Sequence, residues 1–149
     1  EVHRPGVGAL LAQAGDAGLK NLKLACCDAN LLIDKMLPEN SLHRLQLYFP
    51  DPWHKKRHHK RRLVQPEFVR RLEPLLQVGG QLHMATDWEP YAEHMMTVLE
   101  DSRAFRNTAG KGCYSEKPAY RPETKFERRG VSLGHGVWDL VFEKYDTQA

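Results

Sequence analysis

A carboxylate between two prolines is the residue best suited to chemistry in this 149-residue chain. Asp51 follows the apolar segment 45–49, with Pro50 before it and Pro52 after it. Proline biases the residue that precedes it toward an extended backbone, and a rigidly held carboxylate can meet a ligand at a fixed geometry. Because strand-to-loop junctions in α/β proteins carry ligand sites, Asp51 is the candidate reacting group.

The segment that follows Trp53, residues 54–62, contains six Lys or Arg, three His and no acid. The whole chain has a formal net charge of only +3, so the remainder of the chain is net acidic. A solvated charged face usually mixes both signs, whereas a concentrated basic loop is typical of nucleic-acid contact. The segment therefore predicts a polyanion partner, with a solvated face as the alternative. Trp53 is either a core anchor or a stacking surface for a planar base.

The histidines of this segment do not indicate a metal site. No cysteine or acid stands at ligand spacing from His54, His58 and His59, and the neighbouring cations would repel Zn²⁺. The three cysteines of the chain form neither a CxxC motif nor a disulfide framework. We therefore expect no bound metal.

Two further acids, Asp28 and Asp87, lie at or just beyond the C-terminal ends of predicted strands. In an open parallel sheet the carboxyl ends of the strands meet at one edge, where ligands bind. Each acid also stands where a helix N-cap is expected, and the sequence leaves both roles open. The mixed-charge segment 124–130 predicts only an exposed loop.

The elements that must position these residues alternate along the chain. Apolar spacing and turn residues predict four helices, at 6–17, 28–36, 65–76 and 88–99, and four strands, at 22–26, 45–49, 81–86 and 136–143. Gly79 and Gly80 are expected to form the turn into the third strand, and residues 101–124 a loop. This order predicts an α/β fold with a mostly parallel sheet and helices on both faces.

The chain shows no targeting or membrane signal. No apolar run approaches the ~20 residues that a membrane span needs. No signal peptide is visible either, so we expect a cytoplasmic protein that does not enter a membrane. We also expect a monomer or a weak homodimer.

Five strings of residues resemble, in order and spacing, the bacterial tRNA (guanine-N7-)-methyltransferase family. They are Phe-Pro-Asp-Pro-Trp at 49–53, Lys-Lys-Arg-His-His-Lys-Arg-Arg at 55–62, Ala-Thr-Asp-Trp-Glu-Pro-Tyr at 85–91, Thr-Lys-Phe-Glu-Arg-Arg-Gly at 124–130 and Gly-His-Gly-Val-Trp-Asp at 134–139. The resemblance covers nearly the whole chain. It implies a Rossmann-like fold and methyl transfer from S-adenosylmethionine to N7 of a guanine, position 46 in the variable loop of tRNA.

The resemblance also implies residue roles. Glu1, Asp28 and Asp51 correspond to cofactor-binding positions, and Asp51 is similar to the proposed catalytic aspartate. The positions that correspond to tRNA-binding residues of the family are Lys55, Lys56, Arg57, His58, His59, Lys60, Arg61, Arg62, Asp87, Thr124, Lys125, Phe126 and Glu127.

One part of the family pattern is absent from this sequence. The first strand and glycine-rich cofactor loop of the family would lie about 20 residues before Glu1. We therefore interpret residues 1–149 as a single methyltransferase domain, truncated at its N-terminal side, that lacks its first β-α unit.

Two alternative functions remain open. One is a non-catalytic RNA-binding fragment, in which the basic segment alone acts. The other is an amino-group DNA methyltransferase, whose usual motif places a pair of prolines between the polar residue and the aromatic. Here only Pro52 separates Asp51 from Trp53, which favours the tRNA enzyme.

Overall fold

The computed structural model describes residues 1–132, 134 and 136–146; for Phe126 it describes the backbone alone. The chain divides into two compact units, Glu1–Pro38 and Glu39–Ala149. A single methyltransferase domain stays a prediction, and each unit is described by itself below.

The first unit contains two helices, α1 (Arg4–Asp16) and α2 (Ala29–Lys35). Asp28 caps α2, because its Oδ1 accepts the backbone N–H of Asn30 at 2.7 Å. Both predicted helices are confirmed, as is the capping role of Asp28. The predicted strand at 22–26 is wrong, since these residues have no regular structure. A strand needs a neighbour to complete its backbone hydrogen bonds, and the described part of this unit contains no other strand.

The second unit is built on a four-stranded mixed sheet with the order β1-β2-β4-β3. The strands are β1 (Leu42–Tyr48), β2 (Leu76–Thr86), β3 (Phe105–Asn107) and β4 (Trp138–Lys144). β1 and β2 are parallel, whereas β4 runs antiparallel to both β2 and β3. The predicted α/β class is confirmed, but the expectation of a mostly parallel sheet is wrong for the described strands, because β4 runs antiparallel to both of its neighbours and only one of the three pairings is parallel. The short β3 lies within the segment expected to be only a loop.

The sheet topology brings three chain segments to one edge. Because β1 and β2 are parallel neighbours, the loops that follow Tyr48 and Thr86 leave the sheet on the same side. β4 enters the sheet at this side, since Trp138 pairs with Thr86 in the antiparallel ladder. This edge is called the strand-end edge below.

The described residues of the second unit form three helices: α3 (Pro66–Leu72), α4 (Glu89–Glu100) and α5 (Lys125–Ser132). They also form two 3₁₀ turns, at Lys56–Arg61 and Glu73–Leu75. α3 ends near Pro74, as expected for a residue that lacks the N–H of a helical hydrogen bond. The apolar faces of α3 and α4 are buried, with Leu72, Tyr91, Met95 and Leu99 fully inaccessible to solvent.

The start of α4 decides between the two roles of Asp87. Trp88 occupies the N-cap position, and its backbone N–H donates to Thr86 Oγ1 at 3.2 Å. Asp87 is therefore not the N-cap of this helix, and the predicted capping role of Asp87 is wrong.

β2 differs from its predicted form at two glycines. It begins at Leu76 rather than after a turn at Gly79 and Gly80. Gly79 has a φ of 79°, and a Cβ on Gly80 would lie 2.8 Å from the carbonyl oxygen of Gln77 and 3.1 Å from that of Leu42. The glycines therefore allow an irregularity in the pairing of β2 with β1 without ending the strand.

Among the described residues, no helix has both the length and the apolar character needed to cross a membrane.

Candidate active site

The loop after β1 exposes Asp51 between two strained residues. The ladder continues one residue past the strand, because Phe49 N–H donates to the carbonyl of Ala85 at 2.8 Å. Phe49 and Trp53 have φ values of 51° and 46°, in the left-handed region that residues with side chains rarely adopt. Oδ1 of Asp51 accepts the backbone N–H of Trp53 at 2.9 Å. The loop therefore holds an exposed carboxylate in a defined orientation, and such strain persists only where the surroundings impose it.

Arg62, at the end of the basic segment, is buried behind this loop with an exposed fraction of 4%. Its Nε donates to the carbonyl oxygen of Pro52 at 2.8 Å, and its Nη2 lies 3.2 Å from Nε2 of His59. The guanidinium carbon lies 4.8 Å from the centre of the Tyr91 ring. Burial lowers the pKa of Arg62 below its ordinary value. The structure therefore does not support the predicted RNA contact of Arg62.

The other cations of the basic segment have a different environment. Five of them are exposed along the 3₁₀ turn and its N-terminal flank: Lys55, Lys56, Arg57, Lys60 and Arg61. His58 and His59 are half-buried. The exposed cations form one positively charged surface, called the cationic turn below, beside the Asp51 loop.

Trp53 lies between the Asp51 loop and the cationic turn. Its side chain is half-buried, so it is not a fully buried core anchor. The ring of His58 meets it edge-on at 5.9 Å, and the guanidinium carbon of Arg61 lies 5.1 Å from its ring centre. Both contacts join the Asp51 loop to the basic segment.

Asp87 follows β2 at the strand-end edge and is half-buried. The next residue, Trp88, is in edge-to-face contact with the ring of His54, with 4.4 Å between ring centres. This contact joins the loop after β2 to the loop after β1. The structure therefore brings the segments of Asp51 and Asp87 together, although they are far apart in sequence.

Glu127 lies in a buried ion-pair network. Arg121 donates from Nη1 and Nη2 to the two carboxylate oxygens of Glu127, at 2.7 and 3.0 Å. It also donates from Nε and Nη2 to the two oxygens of Asp139, both at 2.8 Å. The exposed fractions of Arg121, Glu127 and Asp139 are 2%, 6% and 3%. A direct tRNA contact by the Glu127 carboxylate is therefore not supported.

The ion pairs shift the pKa values of all three groups. Burial opposes the charge of Arg121, but the hydrogen bonds to Glu127 and Asp139 outweigh it and raise the pKa of Arg121. The hydrogen bonds from Arg121 lower the pKa of Glu127. Burial works against ionisation of Asp139, yet the contacts of His83 and Arg121 lower the pKa of Asp139 overall.

The same network extends across the sheet to two tyrosines. His83 Nε2 lies 2.7 Å from Oδ1 of Asp139, and His83 Nδ1 lies 3.1 Å from the hydroxyl groups of Tyr48 and Tyr120. Burial, with a contribution from Tyr120, raises the pKa of Tyr48 to about 12. β1, β2 and β4 thus each contribute one polar member. Sequence reasoning missed this cluster, and its local signals are two polar residues inside apolar strand patterns, His83 in β2 and Asp139 in β4.

The segment at 124–127 forms a capping box at the start of α5. Thr124 Oγ1 accepts the backbone N–H of Glu127 at 3.1 Å, and Thr124 N–H donates to Glu127 Oε2 at 3.4 Å. Threonine followed three residues later by glutamate is the signature of this motif, so the helix could have been predicted here. Lys125 is exposed and Thr124 half-buried. The predicted contact of the Phe126 side chain lies outside the described residues.

The two acids proposed for the cofactor in the first unit are both exposed. Glu1 Oε1 accepts the backbone N–H groups of Val2 and His3 at 2.7 and 2.8 Å, and these hydrogen bonds lower the pKa of Glu1. Asp28 is oriented by its capping hydrogen bond to Asn30. Both are accessible carboxylates with a fixed direction. The described ranges contain no group of three or more His, Cys, Asp or Glu residues that could hold a metal ion.

Comparison with known proteins places these features in a family. The sequence model of a family described as putative methyltransferase matches residues 1–140. A tRNA (guanine-N(7)-)-methyltransferase of Alcanivorax borkumensis is 62% identical over 144 residues, which are 97% of this chain and 60% of that protein. A relative with the same name from Pseudomonas entomophila is 60% identical over 146 residues, 98% of this chain and 61% of that protein. The chain thus spans about 60% of the length of these relatives.

Solved structures show the same fold. A putative methyltransferase from Streptococcus mutans in complex with SAH has a TM-score of 0.60 at 12% identity, and the match covers 97% of this chain and 73% of that one. An rRNA methylase from Streptococcus thermophilus has a TM-score of 0.58 at 18% identity, covering 98% of this chain and 71% of that one. The predicted methyltransferase fold is therefore confirmed. With 140 of its residues matched by one family model, the chain belongs to the family of putative methyltransferases.

Proposed function

We propose that the full-length protein transfers a methyl group from S-adenosylmethionine to N7 of a guanine in tRNA, at position 46 of the variable loop. The observation that carries this proposal is the exposed carboxylate of Asp51, held at the strand-end edge beside five exposed cations. The relatives named as tRNA (guanine-N(7)-)-methyltransferases, at 60% and 62% identity, support the same reaction.

The chemistry of the first-unit acids fits the cofactor. Ribose hydroxyls and an adenine amino group are hydrogen-bond donors, and Glu1 and Asp28 present exposed carboxylate oxygens to accept them. The backbone hydrogen bonds on Glu1 and Asp28 keep these oxygens in fixed directions. S-adenosylmethionine, when bound, supplies a methyl group activated by its sulfonium. We propose Glu1 and Asp28 as the residues of the first unit that bind it, and cofactor binding by Asp51 of the second unit stays a prediction.

Asp51 acts on the acceptor without removing a proton. N7 of guanine already has a lone pair, so the chain has to orient the base and offset the positive charge that develops on the ring. The Asp51 carboxylate can accept hydrogen bonds from the N1 and N2 donors of guanine and stabilise that charge. Its strained loop keeps the carboxylate from reorienting during the reaction.

The cationic turn and the neighbouring residues hold the RNA. Lysine and arginine side chains neutralise phosphates and fix the orientation of a nucleic acid without reading its sequence. Asp87, Thr124 and Lys125 are accessible at or near the strand-end edge, and we propose that they contact the tRNA. His58 and His59 stay in the proposal as partly exposed members of the same surface. Glu127 acts indirectly, because its carboxylate holds Thr124 and the start of α5.

The cellular setting is part of the same proposal. We expect an enzyme that acts on tRNA to work in the cytoplasm, and a monomer or weak homodimer remains our prediction. No step of the proposed reaction requires a metal or a membrane.

The reaction is tested with tRNA transcripts that carry either guanine or 7-deazaguanine at position 46. We expect the full-length protein to methylate only the first, because 7-deazaguanine has carbon in place of N7. Substituting Asp51→Asn keeps an oxygen that can accept the Trp53 N–H but removes the charge. We expect it to lower turnover ~10²- to 10³-fold, as loss of a preorganised electrostatic group does, with tRNA affinity roughly intact.

Other outcomes would favour the alternatives. Tight tRNA binding without methyl transfer would favour a non-catalytic RNA-binding protein. Methylation of an exocyclic amino group in DNA would favour an amino-group DNA methyltransferase. Normal turnover of Asp51→Asn would exclude the proposed role of Asp51.

A further inference from the structure

We propose that Arg62 is a positioning residue for Asp51, and that it fixes the strained loop from behind without contacting RNA. This inference rests on the proposed methyl transfer. Arg62 belongs to the basic segment by sequence, but its neighbour Arg61 is exposed whereas Arg62 is 4% exposed. Two adjacent arginines therefore have opposite environments.

The hydrogen bonds of Arg62 act on the loop backbone. Nε donates to the carbonyl of Pro52, the residue between Asp51 and Trp53, at 2.8 Å. Trp53 has a φ of 46°, and a non-glycine residue keeps such a conformation only when neighbouring groups impose it. The Arg62 hydrogen bond is placed to impose it.

Arg62 is itself fixed by α4. The ring of Tyr91, inaccessible to solvent, lies against the guanidinium at 4.8 Å. The hydroxyl of Tyr91 accepts the backbone N–H of Val64 at 3.1 Å, and Nε2 of His94 lies 2.8 Å from the carbonyl oxygen of Val64. The chain just after Arg62 is thus held at both backbone groups of Val64. The rigidity of α4 is transmitted through this anchor to Pro52.

The charge of Arg62 is costly in this place. Arg121, the other buried arginine, has two carboxylate partners, Glu127 and Asp139. In the described part of the chain, the contacts of Arg62 are a carbonyl, an imidazole and a phenol ring. A buried cation without a carboxylate partner is destabilising, and such a departure from good packing is expected where a functional geometry depends on it.

Three substitutions separate positioning from charge. Arg62→Gln places an amide N–H as many bonds from Cβ as Nε of arginine, so it retains a donor for Pro52 without the charge. Arg62→Met keeps the length of the stem without any donor. Arg62→Lys keeps the charge without the planar guanidinium. The same Gln substitution at Arg61 and at Arg70, an exposed residue of α3, provides matched controls.

The measurements are single-turnover rate with saturating tRNA and the salt dependence of tRNA affinity, in the full-length protein. For Arg62→Met we expect a ~10- to 100-fold lower rate, the size of effect expected when a reacting group is misplaced by about 1 Å. Arg62→Gln should recover most of that rate, and Arg62→Lys should not. The salt slope of all three should match that of Arg70→Gln, whereas Arg61→Gln should lower the slope by ~0.7–0.9, the value for one phosphate that is no longer neutralised.

The opposite pattern would overturn the inference. If Arg62→Lys behaves like the wild type while Arg62→Gln and Arg62→Met have lower salt slopes, Arg62 binds a phosphate. Should Arg62→Met fail to fold, the rates and slopes of Arg62→Gln and Arg62→Lys decide the question. If the wild-type protein does not methylate tRNA, the proposed function is wrong. This outcome is distinguishable from the phosphate-binding outcome for Arg62, because the salt slopes are measured without turnover.

Discussion

Arg121 and Glu127 face each other through two hydrogen bonds, 2.7 and 3.0 Å long, in a place almost closed to solvent. Arg121 bonds at the same time to Asp139 on β4. Glu127 in turn closes the capping box of Thr124. The pair therefore joins the beginning of α5, where a tRNA contact is proposed, to the centre of the sheet.

Breaking this pair should be strongly destabilising. Arg121→Met removes the guanidinium that the buried carboxylates of Glu127 and Asp139 share, so we expect a decrease of ~3–5 kcal/mol in the free energy of unfolding. Arg121→Met/Glu127→Gln should decrease it by less than the sum of the two single variants, because the pair is removed as a unit. Urea unfolding of the full-length protein measures each value. The matched control is Arg70→Met, whose exposed pair with Glu67 should contribute at most ~1 kcal/mol. Equal decreases at Arg121 and Arg70 would show that the buried pair has no special role.

The same carboxylates predict the response to acid. The pKa values of Glu127 and Asp139 are lowered in the folded chain from ordinary values of 4.5 and 3.8. Near these pH values the folded state therefore binds fewer protons than the unfolded state. The stabilisation that the two carboxylates contribute is complete above their ordinary pKa values and is lost as the pH falls below those values toward the lower pKa values of the folded state. Urea unfolding between pH 7 and pH 3 should show a shallower acid dependence for Glu127→Gln than for the wild type. Parallel curves for the two proteins would contradict the prediction.

The cationic turn should determine the electrostatic part of tRNA binding. Replacing Lys56, Lys60 and Arg61 together by glutamine should lower the slope of log affinity against log salt by ~0.7–0.9 for each phosphate that these side chains neutralise. Filter binding at several salt concentrations measures the slope. An unchanged slope relative to Arg70→Gln would show that these side chains are only a solvated face.

The local chemistry of the chain was largely predictable. Asp28 is a helix cap, α3 ends near Pro74 and the loop after β1 carries an exposed Asp51, as neighbouring residues predict. These features depend on short-range constraints, such as proline geometry and side-chain hydrogen bonds to nearby backbone groups.

Features that depend on distant partners were not predictable. Residues 22–26 have a strand pattern but form no strand in the described unit, and Gly79 continues a strand where a turn was expected. Pairing supplies the hydrogen bonds of a strand, and no local pattern states whether a pairing partner is present. Phe49 and Trp53 adopt left-handed conformations that their side chains do not favour.

The sequence by itself determined which residues could act on a methyl acceptor and a polyanion: Asp51, the basic segment 54–62 and Asp87, each beside a strand end or a loop signal. Only the tertiary structure decided which charges face solvent. Arg61 and Arg62 are equivalent in sequence, yet one is exposed and the other lies against Tyr91 of α4. Glu127 belongs to a charged segment, yet its side chain is buried in an ion pair with Arg121. Burial of a charge depends on partners brought from distant elements, because a buried ion is tolerated only where they offset its lost hydration.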